Sequence, residues 1–167
     1  MFELLYPDKY LKSTDEINFE RLYAKGFRGI LFDIDNTLVP HGAPADDRAI
    51  ALREIGFATC LISNNKEPRV KSFCEQVGST YIYKAGKPLP GGYQEGMRRM
   101  GTEQHNTFFV GDQIFTDVLG ARRAGLYTIM VQPINPKEEI QIVLKRYLEK
   151  IVLFFYFRSR RKKRVEK

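Results

Sequence analysis

The sequence predicts an α/β fold: a three-layer, Rossmann-like parallel sheet with helices on both faces. Three observations carry that reading. From residue 28 onward, short apolar runs alternate with amphipathic stretches. The connections between them are short, as in βα units. Polar residues repeatedly close the apolar runs at their carboxyl ends, where open parallel sheets bind ligands. A chain of 167 residues, 43% hydrophobic, is long enough to bury one substantial core.

The elements follow in order. GILFDID (29–35) reads as a strand, and ADDRAIALREIG (45–56) as a helix closed by Gly56. FATCLIS (57–63) is a second strand and KEPRVKSFCEQVG (66–78) a second helix, with Pro68 in its first turn and Gly78 at its end. STYIY (79–83) is a shorter strand, followed by a helix over 92–101. NTFFVGD (106–112) and LYTIMVQ (126–132) are strands enclosing a helical IFTDVLGARRAG (114–125). Residues 1–27 form an N-terminal segment expected to pack on the core, with one short helix around 18–26.

Charge separates the chain into a body and a tail. The net charge is +7, and residues 158–167, RSRRKKRVEK, carry seven basic side chains against Glu166, or +6. Everything before the tail is therefore near +1 (+7 minus +6), so the basic character belongs to a tail and not to a domain. MFELLYPDKY has no basic region leading an apolar stretch and a small-residue cleavage site, and no segment approaches the roughly 20 apolar residues of a membrane span. Cytoplasmic localisation is expected. Cys60 and Cys74, in a strand and a helix, read as reduced core residues.

On this map Asp33 and Asp35 end the first strand, Ser63 the second and Asp112 the fourth. Each alone could be a turn residue or cap; their shared position at strand ends makes one crevice. Asp33, Asp112 and Asp117 together offer hard oxygen ligands without His or Cys, which favours magnesium over zinc. Ser63, Asn64 and Asn65 precede a helix whose first N–H groups suit an anion. Lys87, in KAGKPLP, adds a positive charge held extended by Pro88. A cation, an anion site, a lysine and a carboxylate nucleophile describe phosphoryl transfer.

DIDNT (33–37) matches the DxDxT signature of the haloacid dehalogenase-like (HAD) phosphohydrolases, and three further motifs of that family follow in order: Ser63 in LISNN, Lys87 in GKP, and the acids of GDQIFTD (111–117). The resemblance spans about residues 28–132 and implies a HAD-like fold for a domain of 28–135. It implies Asp33 as the nucleophile that becomes an aspartyl-phosphate and Asp35 as general acid, then base. It implies that Thr37 orients the loop, that Ser63 and Asn64 bind substrate, and that Lys87 neutralises Asp33 and the phosphate. Magnesium would be held by Asp33, the Asp35 main-chain carbonyl and Asp112, with Asp117 in support.

Spacing bears on the substrate. Only 25 residues separate Thr37 from Ser63 and 23 separate Ser63 from Lys87, all consumed by assigned helix and strand, so no cap domain fits. A capless site is open to a phosphate on something bulky. GDQIFTDVLGARRAGLYTIMVQP further resembles the YqeG-type, subclass IIIA branch, which is related to phosphatidylglycerophosphate phosphatases. That resemblance implies hydrolysis of phosphatidylglycerophosphate to phosphatidylglycerol.

Residues 136–157 read as a C-terminal amphipathic helix with apolar Ile140, Val143, Tyr147, Leu148, Ile151 and Phe155, and 158–167 as a basic tail. Aromatic and aliphatic residues beside Lys and Arg suit an anionic membrane surface, making the chain peripheral on the inner membrane face. A terminal helix packed on the domain with a solvated tail is the alternative, and no specific nucleic-acid partner is expected. Two other functions stay open: a soluble phosphatase for a nucleotide, sugar phosphate or phosphoprotein, and an anion-binding scaffold without turnover, which the filled catalytic positions disfavour. His41 reads as a solvated loop residue, and Arg122 and Arg123 as exposed helix arginines.

Overall fold

The computed structural model describes residues 2–38, 54–134 and 140–165. His41, and all but the end of the 45–56 helix, lie outside the described residues. Six parallel strands form one sheet: β1 (Lys9–Leu11), β2 (Gly29–Phe32), β3 (Ala58–Ile62), β4 (Thr80–Ile82), β5 (Thr107–Gly111) and β6 (Tyr127–Val131). Their order is β1-β6-β5-β2-β3-β4, with β5 and β2 at the centre. Five of the strands coincide with the predicted ones. The sixth, β1, comes from the N-terminal segment and pairs along β6 through Lys9, Tyr10 and Leu11.

Alternation across the strands divides the core into two layers, as the two-residue period of a pleated strand requires. Ile30, Phe32, Leu61, Phe108 and Val110 face one side, where Val70 and Phe73 of helix α2 (Glu67–Val77) pack on them, as does α1 (Phe19–Ala24) through Phe19, Leu22 and Tyr23. Leu31, Cys60, Ile62 and Phe109 face the other, under Tyr93 and Met97 of α3 (Gly91–Met100) and Ala121 of α4 (Leu119–Arg123). Both faces are thereby covered, which is why the central strands are apolar on both sides. Phe73 is fully buried, so truncating it to alanine would cost about 3–5 kcal/mol. Cys60 and Cys74 are buried free thiols in opposite layers.

Close approach of α3 and α4 depends on one glycine. A Cβ at Gly120 would lie 2.5 Å from the Tyr93 hydroxyl, so only glycine lets the two helices meet there.

Helix α5 (Ile140–Val165) is 26 residues long, about 39 Å at 1.5 Å per residue. It runs through the boundary expected at residue 157, because RSRRKKR contains no breaker and Arg and Lys are good helix formers. It packs through a different stripe from the expected one. Val152 joins Ile114, Val118 and Met130 in a third apolar cluster, and Tyr156 meets Tyr6 edge-on at 5.6 Å. Of the residues expected on its apolar face, Tyr147, Leu148, Ile151 and Phe155 stand exposed, as the membrane-facing reading requires. No helix among the described residues is long and apolar enough to cross a membrane.

Candidate active site

The carboxyl ends of β2, β3 and β5 meet at one edge of the sheet. Asp33 follows β2 directly, and its N–H still bonds to the Val110 carbonyl at 2.9 Å, so the strand ladder fixes its backbone. Asn36 turns the chain through a positive φ of 62°, a conformation asparagine tolerates better than most residues, and this aims Thr37 back at the sheet. The Thr37 hydroxyl donates to Asp112 Oδ1 at 3.2 Å.

Asp117 reaches the same edge through a π-helical turn, Ile114–Val118, a rare form that recurs at functional sites. Its Oδ2 accepts the N–H groups of Asp112 and Gln113, both at 3.1 Å. Gly111 is required here, since a Cβ would fall 2.7 Å from that same Oδ2. The buried Tyr93 hydroxyl donates to the Thr116 carbonyl at 3.0 Å and holds the turn from below.

Lys87 inserts between two of these acids. Its Nζ lies 2.5 Å from Asp33 Oδ1 and 2.7 Å from Asp117 Oδ1, with the side chain almost wholly buried. Asn64, expected to bind substrate, instead uses its side chain on the Lys87 main chain: Oδ1 accepts the Lys87 N–H at 2.9 Å and Nδ2 donates to the carbonyl at 3.2 Å. Ser63, buried at the end of β3, accepts the Asn65 N–H on its hydroxyl at 3.1 Å. Lys66 caps α2 without a side-chain hydrogen bond.

Asp33, Asp112 and Asp117 are all buried, with ligand-capable oxygens within 4.8 Å of one another. Burial pushes Asp33 up to about 7 despite the pull of Lys87, and Asp117 adds to the rise. Asp112 is raised well above the usual carboxylate range by burial and then by Asp117 and Asp33. For Lys87, burial alone would lower the pKa, and the two carboxylates Asp117 and Asp33 reverse it to a net rise. Burial leads the rise of the two acids, with neighbouring carboxylates adding to it, and the carboxylates of Asp117 and Asp33 lead the rise of Lys87. A hard, all-oxygen donor set with a deficit of positive charge fits magnesium.

Two arginines at this edge, Arg69 and Arg146, have no counterpart among the residues singled out in the sequence. Asp35 accepts from Asn65 Nδ2 at 2.7 Å and from Arg69 Nη2 at 3.0 Å, so α2 positions it. Arg146 of α5 binds Asp112 through both its carboxylate and its main chain. Asn65 belongs to the stretch already read as preceding an anion site, though not as a partner of Asp35. Arg146 carries no local signal, since KRYLEK reads as an exposed helix surface. Arg122 is engaged elsewhere, 3.0 Å from Asp8, whose carboxylate also accepts the Thr128 N–H.

Comparison with known proteins agrees with this geometry. Residues 45–125 match the profile of the haloacid dehalogenase-like hydrolases. The Bacillus subtilis chain described as "Probable phosphatase YqeG" is 36% identical over 152 residues, 88% of each chain. "Phosphatidylglycerophosphate phosphatase 1, chloroplastic/mitochondrial" of Arabidopsis thaliana is 27% identical over 89% of this chain and 49% of its own length. A HAD subfamily III A hydrolase structure from Legionella pneumophila superposes with a TM-score of 0.53 at 18% identity, covering 70% of this chain and 71% of that one, which establishes the shared fold. The chain belongs to the haloacid dehalogenase-like hydrolases, among the YqeG-type phosphatases.

Proposed function

We propose that this phosphatase is magnesium-dependent, works through an aspartyl-phosphate on Asp33, and removes the terminal phosphate of phosphatidylglycerophosphate at the inner face of the membrane. The observation that carries the reading is the Asp33 carboxylate: buried at a strand end, 2.5 Å from Lys87 and clustered with Asp112 and Asp117. A carboxylate so flanked is a nucleophile whose attack on a phosphate ester is matched by fixed positive charge.

In the first step an Asp33 oxygen bonds to phosphorus, and the bond from phosphorus to the ester oxygen breaks. Asp35 gives its proton to the leaving alkoxide. In the second step Asp35 takes a proton from water, the water oxygen bonds to phosphorus, and the Asp33 ester bond breaks to release inorganic phosphate. The Ser63 hydroxyl and the first N–H groups of α2 hold the phosphoryl oxygens. Asn64 keeps Lys87 facing Asp33, and Thr37 keeps Asp112 in plane. Asp33, the Asp35 carbonyl and Asp112, with Asp117 beside them, would hold magnesium, which would supply further charge neutralisation for the phosphoryl oxygens.

The substrate assignment draws on the plant relative's name, the absence of room for a cap between the motifs, and the surface of α5. That helix exposes Leu144, Tyr147, Leu148, Ile151, Phe154 and Phe155, and continues into exposed Arg158, Arg160 and Arg161. Apolar side chains beside a basic run suit an anionic bilayer, the surface on which such a substrate resides. The test is purified protein with magnesium, assayed on vesicles containing phosphatidylglycerophosphate and on a panel of soluble phosphomonoesters. Preferential hydrolysis of the lipid is expected. Efficient turnover of a soluble phosphate with none of the lipid would refute the substrate.

A further inference from the structure

Helix α5 lies beyond the last βα unit, yet it reaches the catalytic edge. Arg146 Nη1 donates to the Asp112 carbonyl at 2.6 Å, and Nη2 pairs with Asp112 Oδ2. Nη1 also meets Glu149 Oε2 at 2.9 Å, one helical turn on. Glu149 Oε1 then accepts the Ile114 N–H at 2.7 Å. The pair thus grips both sides of the turn: the carboxylate and carbonyl of Asp112, and the N–H that opens the π-helical turn bearing Asp117. Arg146 is largely and Glu149 almost wholly buried, so solvent screens these contacts little.

We infer that Arg146 and Glu149 are positioning residues for the metal ligand Asp112, making α5 part of the active site and not only a surface helix. The inference rests on the proposed magnesium site. Asp112 is 0% exposed, and its two carboxylate oxygens are fixed by different partners: Oδ1 by Thr37 and Oδ2 by Arg146. That fixes the carboxylate plane from both ends. Magnesium demands near-ideal octahedral placement of its ligands, so an acid free to swing binds it poorly. Partners that orient ligands in this way typically matter by about 10–100-fold in metal affinity or activity.

The opposite effect has a physical basis as well. Removing Arg146 deletes a positive charge beside the site, and charge alone would tighten a divalent cation. The sign of the change therefore separates orientation from simple electrostatics.

The experiment is magnesium titration by calorimetry on folded protein without substrate, comparing wild type with Arg146→Ala, Arg146→Lys and Val152→Ala. Val152 packs α5 on the same turn through an apolar side chain that takes no part in the hydrogen bonds of the brace, so it reports on loss of packing. The expected result is magnesium binding weakened about 10–100-fold in Arg146→Ala. A smaller loss is expected in Arg146→Lys, which keeps the charge but not the fork, and none in Val152→Ala despite a lower Tm. Unchanged or tighter binding in a folded Arg146→Ala overturns the inference, as does equal weakening in Val152→Ala. If Arg146→Ala does not fold, wild-type affinity in Arg146→Lys overturns it. Failure of the wild type itself to bind magnesium would refute the proposed metal site instead.

Discussion

Two regions of this molecule invert the usual arrangement of polar and apolar groups. At the carboxyl edge of the sheet, the ionisable side chains of Asp33, Asp112, Asp117 and Lys87 are buried. On α5, Leu144, Tyr147 and Phe154 are each more than 60% exposed. Burying charge is costly unless it is paired, and the edge pairs most of its charge while retaining a surplus of carboxylate. Exposing a continuous apolar surface is also unfavourable unless something covers it. Under the proposed function the first region would take a cation and phosphate and the second would meet an apolar surface. Arg146 and Glu149 link the two, since they belong to the helix that carries the exposed face and contact the turn that carries the acids.

Substitutions can break one half of this comparison while leaving the other intact. The largest effect short of the nucleophile is expected from Asp35→Asn, which should slow turnover by about 10²–10⁴, the usual scale of general acid–base catalysis. Steady-state rates on alkyl and aryl phosphates would check it, because the loss should shrink for aryl leaving groups that need less protonation. Lys87→Ala should lower kcat by about 10²–10³. It should also destabilise the fold by about 3–5 kcal/mol, because it leaves buried acids without their cation. Thermal melts with EDTA and with magnesium would measure this, and magnesium should recover part of the lost Tm.

At the other region, replacing Arg158 and Arg161 together with glutamine removes two charges worth about 1 kcal/mol each at an anionic surface. Sedimentation with anionic vesicles should show binding roughly 30-fold weaker, with hydrolysis of a soluble aryl phosphate unchanged. High salt should produce the same loss in the wild type. The smallest effect concerns the thiols. Burial raises Cys60 to about 11, and burial together with Cys60 raises Cys74 to about 12. Both stay protonated at pH 8, so alkylation of the native protein should be far slower than of the denatured chain, as mass spectrometry would show.

The strand framework was legible because each central strand is a short apolar run ended by a polar residue, and sequence order reproduces the order of motifs. Asp33 and Asp112 could be placed for the same reason, since they follow β2 and β5 directly; Lys87, in a loop, and Asp117, in the π-helical turn, were placed by the order of the motifs. β1 was not legible. Lys9–Leu11 is three residues long with no alternation to read, and it is held at the edge by β6 and by Asp8 contacts to Thr128, 120 residues away. The face by which α5 meets the fold was not legible, because periodicity shows that a helix has an apolar side and not which side the domain covers. Val152 and Tyr156, not Tyr147 and Leu148, meet the fold. Arg146 escaped notice because its partner lies 34 residues earlier, and an arginine three residues before a glutamate looks like any solvated helix pair.

Asp33, as the group that accepts phosphate, is the centre of the proposed mechanism. The decisive measurement is an acid quench of wild type and Asp33→Asn during turnover of phosphatidylglycerophosphate radiolabelled in its terminal phosphate, with magnesium present. The wild-type chain should carry protein-bound label that hydroxylamine releases, as an acyl phosphate must, and Asp33→Asn should carry none and release no phosphate above background. Label on a folded Asp33→Asn chain, or its continued release of phosphate, would contradict the account.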